Sequence, residues 1–201
     1  MQSFRLRPVY RRTSRMQMDE RILAEGCRKG EETARRALYE SFAGRLLGIC
    51  LRYAGDRTTA EDLMHDAFLK IYGAFDRFAY RGPGSLRAWI ERITVNVALE
   101  WLRSRNRLTS LPLDEGRAQE PVAEPDPGQV ARIPRDVLMR FVAELPDGYR
   151  TVFNLYCIEG YSHREIARML GINEKSSSSQ LFRARALLTR RIREYEKSQG
   201  L

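Results

Sequence analysis

Residues 161–173 read Tyr161-Ser162-His163-Arg164-Glu165-Ile166-Ala167-Arg168-Met169-Leu170-Gly171-Ile172-Asn173, and they lead into Glu174-Lys175-Ser176-Ser177-Ser178-Ser179-Gln180-Leu181-Phe182-Arg183-Ala184-Arg185. Ser162 and Glu165 have the spacing of a capping box, in which the serine oxygen takes one orphan N–H and the glutamate reaches back to another. Ile166, Ala167 and Leu170 give the short helix an apolar face, and Gly171 stops it. Ile172-Asn173 forms the turn, and a second helix starts at about Glu174 with Leu181, Ala184, Leu188 and Ile192 inward. A capped short helix, a glycine turn and a second helix are the signature of a helix-turn-helix. Ala167 is small enough for close packing of the second helix, and Ile172 and Leu181 fill the angle between the two.

The second helix of such a pair lies in the major groove with its N-terminal side chains at base edges. At 100° per residue, Ser176, Ser179, Arg183 and Arg190 lie opposite the inward stripe, with Phe182 on one flank and Gln180 on the other. Serine and glutamine can hydrogen-bond bases, and arginine can grip guanine or phosphate. Arg185, Arg190, Arg191 and Arg193 suit backbone phosphates, which position rather than specify. The serine run also fits a flexible low-complexity tract, since serine is a poor helix former in isolation. Its continuation into a strong apolar stripe favours the DNA-reading alternative.

Upstream, Pro134 opens a helix that ends before Pro146, and Val152, Phe153, Leu155 and Tyr156 mark another that stops at Gly160. Before these lies an acidic stretch. Residues 108–131 hold Arg117 against Asp114, Glu115, Glu120, Glu124 and Asp126, a net −4, together with Pro112, Pro121, Pro125 and Pro127. With no apolar periodicity, 108–131 reads as a flexible linker between two folded parts. It serves either as a solvated tether or as a mimic of nucleic acid.

The block at 19–107 also reads as helical. Leu38, Phe42, Leu46, Ile49, Cys50 and Tyr53 recur at steps of three and four, and Gly55-Asp56 breaks that helix. Thr58-Thr59-Ala60-Glu61 reads as a capping box, in which Glu61 reaches back, opening a helix with Leu63, Ala67, Phe68 and Ile71 inward that runs to about Phe75. Asp76 to Ser85, with Gly82-Pro83-Gly84, is a loop. Ser85 caps a further helix with the stripe Leu86, Trp89, Ile90, Ile93, Val97 and Leu102, which exits through Arg103-Ser104-Arg105-Asn106-Arg107.

The chain has 201 residues and a net charge of +9. Residues 1–20 carry +3, 21–107 carry +5 and 132–201 carry +5, so basic blocks flank the acidic one. A basic surplus of this kind points to a polyanion. No run reaches the roughly 20 apolar residues of a membrane helix. Residues 1–18 lack the apolar core of a signal peptide. They read either as a disordered basic arm or as a consequence of start-site choice, given Met16 and Met18. Cys27, Cys50 and Cys157 form no C-x-x-C pair, which suits a reducing cytoplasm and neither a disulfide frame nor a zinc site. His65 and His163 lack metal-spaced partners and read as helix-surface residues. No Gly-rich phosphate loop is present. An enzyme acting on nucleic acid, and any cofactor, therefore find no support.

Six motifs occur in order. They are Ala60-Glu61-Asp62-Leu63-Met64-His65-Asp66-Ala67-Phe68, Gly82-Pro83-Gly84-Ser85-Leu86-Arg87-Ala88-Trp89, and Asn96-Val97-Ala98-Leu99-Glu100-Trp101-Leu102-Arg103 in the first block. In the second they are Leu145-Pro146-Asp147-Gly148-Tyr149-Arg150, Tyr161–Ala167 and Leu181–Arg185. Joined by a Pro-rich acidic linker, they resemble an extracytoplasmic-function sigma factor of bacterial RNA polymerase, over about 19–197. The resemblance implies an all-α chain with a region 2-like domain at 19–107 and a region 4-like helix-turn-helix domain at 132–201.

It also implies partners. The Glu61–Ile71 helix resembles the surface that docks on the clamp helices of the largest catalytic polymerase subunit, with Glu61, Asp62 and Asp66 beside Leu63, Phe68 and Leu69. From the residues alone, the favoured reading of this helix is an ordinary amphipathic one with a solvated acidic face. The second domain implies the flap of the second large subunit as a further contact. The Tyr80–Ser85 loop resembles the segment that captures a flipped minus-10 base, with Tyr80, Arg81 and Ser85 as candidates. Arg87, Arg92, Arg103, Arg105 and Arg107 would guide the strands through phosphates. Trp89 and Trp101 could stack on bases, but their inward spacing favours the core, most clearly for Trp89. For the second helix of the helix-turn-helix, from about Glu174, the resemblance implies contact with the minus-35 element. An anti-sigma factor is the regulatory partner the resemblance implies, and the protein is expected in the cytoplasm with no membrane insertion. Lys175 and Ser178 stand where many relatives carry glycine and a basic residue, and Gln180 where they carry arginine, so the minus-35 sequence does not transfer from relatives. The rival reading is an autonomous helix-turn-helix regulator, which leaves the first block without a role and need not bind core polymerase.

Overall fold

The computed structural model describes residues 19–105 and 127–199, all helix, turn or coil with no strand among them. The basic tail, Arg107 and linker residues 108–126 lie outside the described residues. The described chain falls into two compact units that meet between Trp101 and Leu102.

The first unit begins with α1 (Glu20–Arg28), capped by Asp19, whose carboxylate accepts the Arg21 N–H at 2.8 Å. Helix α2 (Glu32–Ala54) follows closely. A β-carbon on Gly26 would lie 2.6 Å from the Ala34 methyl, so the α1–α2 approach requires glycine there. The predicted α2 stripe is buried through Leu38, Leu46, Ile49, Cys50 and Tyr53, with Phe42 half-buried. Gly55 ends α2 in the left-handed conformation.

Helix α3 (Arg57–Tyr72) starts two residues earlier than the Thr58 box implies. Asp56 is its cap, accepting the Thr59 N–H at 2.8 Å, and Glu61 pairs with Arg57 at 2.7 Å rather than reaching back. A carboxylate placed immediately before the first turn outcompetes a threonine inside it, and it also favours the positive end of the helix dipole. The helix ends at Tyr72, and Phe75–Arg77 forms a single 3-10 turn. Helix α4 (Ser85–Ser104) buries Leu86, Ile90, Val95, Val97 and Leu99. Trp89 is wedged between Phe75 and Phe78, with ring centroids 5.2 and 4.9 Å away, so it builds the core beneath the 75–84 segment.

The second unit starts earlier than the predicted boundary at 132. Pro127–Val130 forms a short helix, α5, and Val130 is buried with Ile133, Phe141 and Ile192. One apolar residue at the end of an otherwise polar stretch carries no periodicity, which is why the linker reading absorbs it. Helix α6 (Arg135–Ala143) is followed by α7 (Asp147–Phe153), which widens into a π-helical turn over Asn154–Ile158 before Gly160. Helix α8 (His163–Leu170) carries the predicted Ser162–Glu165 capping box with both reciprocal bonds formed, and it ends at left-handed Gly171, φ +68°. Helix α9 (Glu174–Gln199) buries Leu181, Ala184 and Ile192. Its cap is Asn173, whose side-chain oxygen accepts the Ser176 N–H at 2.6 Å.

Candidate nucleic-acid and partner interfaces

The helix-turn-helix of α8 and α9 sorts the serine run by environment. Ser177 is fully buried, Ser178 and Ser179 are exposed, and Ser176 is half-buried. The run is a helix, and its serines do different work. Gln180, Arg183 and Arg185 are half-buried, while Arg190 is exposed and Phe182 is 47% exposed. An apolar ring left that open beside polar neighbours is available for contact with a thymine methyl or a sugar. One Arg183 nitrogen lies 3.5 Å from the Tyr149 hydroxyl, a long bond that a base or phosphate can displace. Lys175 and Ser178 are exposed on the first turns of α9, and Arg164 and Arg168 of α8 line a shallow groove of about 370 Å³ with Ile172 and Asn173. From the sequence, Lys175 and Ser178 stand out only as departures from relatives, and neither Arg164 nor Arg168 is among the candidate contacts. Arginines spaced by four on the first helix are the only sequence signal for the pair on α8.

His163 is not the helix-surface residue the sequence implied. Its Nδ1 lies 2.9 Å from the buried Ser177 hydroxyl, and its ring stacks on Tyr156 at 4.5 Å. It thus ties the start of α8 to the reading helix. Burial pushes its pKa below the ordinary histidine value, Arg185 adds to the effect, and Glu174 opposes it. The folded form therefore holds the imidazole neutral, while the unfolded chain takes up the proton more readily. The stabilisation is complete above the ordinary pKa of about 6.5 and is lost as pH falls through it towards the lowered folded value. We predict that the urea midpoint of the second unit falls between pH 7.5 and 5.5, and that His163→Gln makes the fall shallower. An identical pH dependence in the variant would remove His163 from this account.

In the first unit, the 78–85 loop turns through Gly82 and Gly84, at φ +113° and +86°. These are left-handed conformations that a residue with a side chain rarely adopts. Tyr80 is 38% exposed and Arg81 is exposed beside it, so an aromatic face and a guanidinium share the apex. Ser85 differs from its predicted role. Its hydroxyl donates to the Gly82 carbonyl at 2.7 Å and accepts the Arg81 N–H at 3.2 Å. It closes the loop on itself, leaving Tyr80 and Arg81 as the outward groups.

Arg92 and Arg103 are exposed and lie eleven residues apart on α4, about 20° from one face. Arg105 follows in an exposed turn. Arg87 stands apart. It is about 140° from Arg92 around the helix, and its nearest charged partner is Glu91 at 4.0 Å, which also holds Arg45 at 2.8 Å. The structure groups Arg92 and Arg103 and separates Arg87 from them.

On α3, Asp62, Asp66 and Leu69 share an exposed face, with Leu69 70% exposed. Leu63 and Phe68 are each 3% exposed and belong to the core beneath it, which corrects their reading as surface contacts. Both lie on the inward stripe that the periodicity predicts, and Tyr39 of α2 lies over Phe68 with ring centroids 4.7 Å apart while itself remaining partly exposed. Glu61 is half-buried and engaged by Arg57. The open surface is therefore two carboxylates, one leucine and the Tyr39 edge.

Residues 38–108 match the family model of sigma-70 region 2, and residues 135–188 match that of sigma-70 region 4. The chain belongs to the sigma-70 family. This sigma factor is 30% identical over 154 residues to the ECF RNA polymerase sigma factor SigE of Mycolicibacterium smegmatis, covering 75% of this chain but only 58% of that protein. It is 26% identical over 187 residues to the ECF RNA polymerase sigma-E factor of Escherichia coli strain K12, covering 88% of this chain and 95% of that protein. The solved structure of CnrH in complex with the cytosolic domain of CnrY aligns with a TM-score of 0.48 at 24% identity, over 87% of this chain and 97% of that one. The region 2 match lies mostly in the first helical unit and the region 4 match in the second, and the interfaces described above fall within them except for Arg190, just past the end of the region 4 match. Among the described residues, no helix is long and apolar enough to cross a membrane, and no cluster of side chains suits a metal ion.

Proposed function

We propose that this sigma factor directs core RNA polymerase to promoters by dividing the work between its two units, with α9 on the minus-35 duplex and the first unit on both polymerase and the minus-10 strand. The observation that carries the reading is the arrangement within the region 2 match. An acidic face with an exposed leucine lies on α3, and an aromatic–arginine loop precedes the arginine face of α4. An autonomous helix-turn-helix regulator has no use for either surface.

Each surface has a chemical fit. Asp62, Asp66 and Leu69 suit a basic amphipathic partner, here the clamp helices of the largest catalytic subunit, and the second unit would meet the flap of the other. Melting the minus-10 region costs a few kcal/mol per unstacked base. Stacking on an aromatic face returns about 1–3 kcal/mol per base, which Tyr80 can supply, with Arg81 giving a cation over the strand. Arg92, Arg103 and Arg105 would neutralise phosphates and make binding fall with salt. Residues 108–126, the part of the predicted linker before α5, act as the tether that keeps both units on one promoter, so the second contact forms at high effective concentration. The protein lowers a barrier by holding melted DNA and changes no covalent bond itself. It works in the cytoplasm, and an anti-sigma factor would inhibit it by covering the α3 and α9 surfaces.

For α9, we predict that Arg183→Ala weakens binding to a minus-35 duplex by roughly 1–3 kcal/mol if Arg183 makes a bidentate base contact. Electrophoretic or anisotropy titration at fixed salt measures it, and unchanged affinity would take Arg183 out of the reading set. Core co-purification tests the reading as a whole, because a free-standing regulator would not retain the catalytic subunits.

A further inference from the structure

Helix α1 carries no motif, yet it holds both ends of the loop that displays Tyr80 and Arg81. At its first residue, the Glu20 carboxylate accepts the Gly84 N–H at 2.8 Å, across 64 residues of sequence. At its last, the Arg28 guanidinium donates to the Phe78 carbonyl at 2.7 Å and to the Phe75 carbonyl at 3.4 Å. Glu25 holds that guanidinium from the other side at 2.5 Å.

We infer that α1 is a clamp that presets the 78–84 loop for a single strand, with Glu20 as the positioning residue of the minus-10 site. The inference rests on the reading of Tyr80 and Arg81 given above. A helix rises 1.5 Å per residue, so its two ends lie about 12 Å apart on a rigid rod, and the loop ends anchored to them inherit that spacing. Between the anchors, Gly82 and Gly84 have left-handed backbones, a conformation a free glycine-containing segment visits only among many others. Inside the loop, the Ser85 hydroxyl bonds and the turn from the Ser85 N–H to the Gly82 carbonyl close the segment on itself. The outside ties come from α1, and both are hydrogen bonds to a charged group, the stronger kind. A loop held in its binding shape loses less freedom when the strand arrives, so the clamp acts on affinity for melted DNA and leaves duplex reading alone.

The test uses the holoenzyme, formed from the full chain and purified core polymerase. Its probes are a fluorescent single-stranded oligonucleotide carrying the non-template minus-10 sequence of a promoter it transcribes, and a separate minus-35 duplex. Glu20→Ala should weaken single-strand binding about tenfold and leave minus-35 and core affinities unchanged. Glu20→Gln, whose amide oxygen can accept the same N–H, should restore most of the loss. In a Tyr80→Ala background, Glu20→Ala should have little further effect, because both act through one loop.

If Tyr80→Ala weakens single-strand binding while Glu20→Ala does not, the clamp is overturned and the loop reading stands. If neither Tyr80→Ala nor Arg81→Ala weakens it, the loop reading falls and the clamp falls with it. Parallel loss of core and single-strand binding in Glu20→Ala, without rescue by glutamine, would also overturn the clamp, since Glu20 would then be supporting the whole unit.

Discussion

Arg150→Met should destabilise the region 4 unit by about 3 kcal/mol, the low end of the range for breaking one side of a buried ion pair. Arg150 is only 5% exposed, and its guanidinium holds Asp147 at 2.5 Å and the carbonyls of Ala143 and Leu145 at 2.8 and 3.3 Å. Those carbonyls lie at the last residue of α6 and just beyond it, where a helix leaves its last acceptors without internal donors. Methionine fills similar space but leaves the Asp147 carboxylate and both carbonyls without their cation, and the partial exposure of Asp147 to water limits the cost. A domain of about 70 residues stands on roughly 4–10 kcal/mol, so the loss is a large share of the total. Both tryptophans, Trp89 and Trp101, lie in α4, so their fluorescence follows the first unit while circular dichroism follows both. In urea, the variant should show part of its dichroism lost at lower denaturant with the fluorescence midpoint unmoved. Superimposable dichroism curves for variant and parent would refute the role given to Arg150.

Reversing charge at Asp62 and Asp66 together, to lysine, should weaken binding to core polymerase at least thirtyfold, the scale of an interface hot spot. Both carboxylates stand exposed on the face of α3 that carries Leu69. Like charges facing a basic partner add repulsion to the lost attraction. Neither side chain is in the core, so folding should survive, and minus-35 duplex binding by the variant is the control. Biolayer or anisotropy titration against core polymerase reads the effect. Equal loss of core and duplex binding would indicate misfolding and would withdraw α3 as the docking surface.

The part of the fold readable beforehand is the part written in short-range chemistry. Ser162, Glu165 and Gly171 lie within ten residues and specify the start and stop of α8 without outside help. The α2 and α9 stripes repeat often enough to set their buried faces. The errors come from contacts that no local pattern encodes. Leu63 and Phe68 lie on the inward stripe of α3, and their added role as docking contacts, taken from the resemblance, fails because both are buried, Phe68 beneath Tyr39 of α2. Asp56 displaces Thr58 as a cap because two residues compete for one set of N–H groups, and geometry chooses between them. His163 and Ser177 are fourteen residues apart in two different helices, so each looked like an isolated polar residue. Glu20 is farther still from Gly84, and a lone glutamate at a helix start is so common that it signals nothing in the sequence.

The central claim is that both units serve one polymerase on one promoter. Run-off transcription from genomic fragments, with purified core polymerase and the full chain, tests it most directly. The account predicts transcripts with defined 5′ ends that require the protein, that disappear with the Asp62→Lys, Asp66→Lys double variant, and whose templates carry two separated elements. Absence of any protein-dependent transcript, together with absence of core binding, would contradict it.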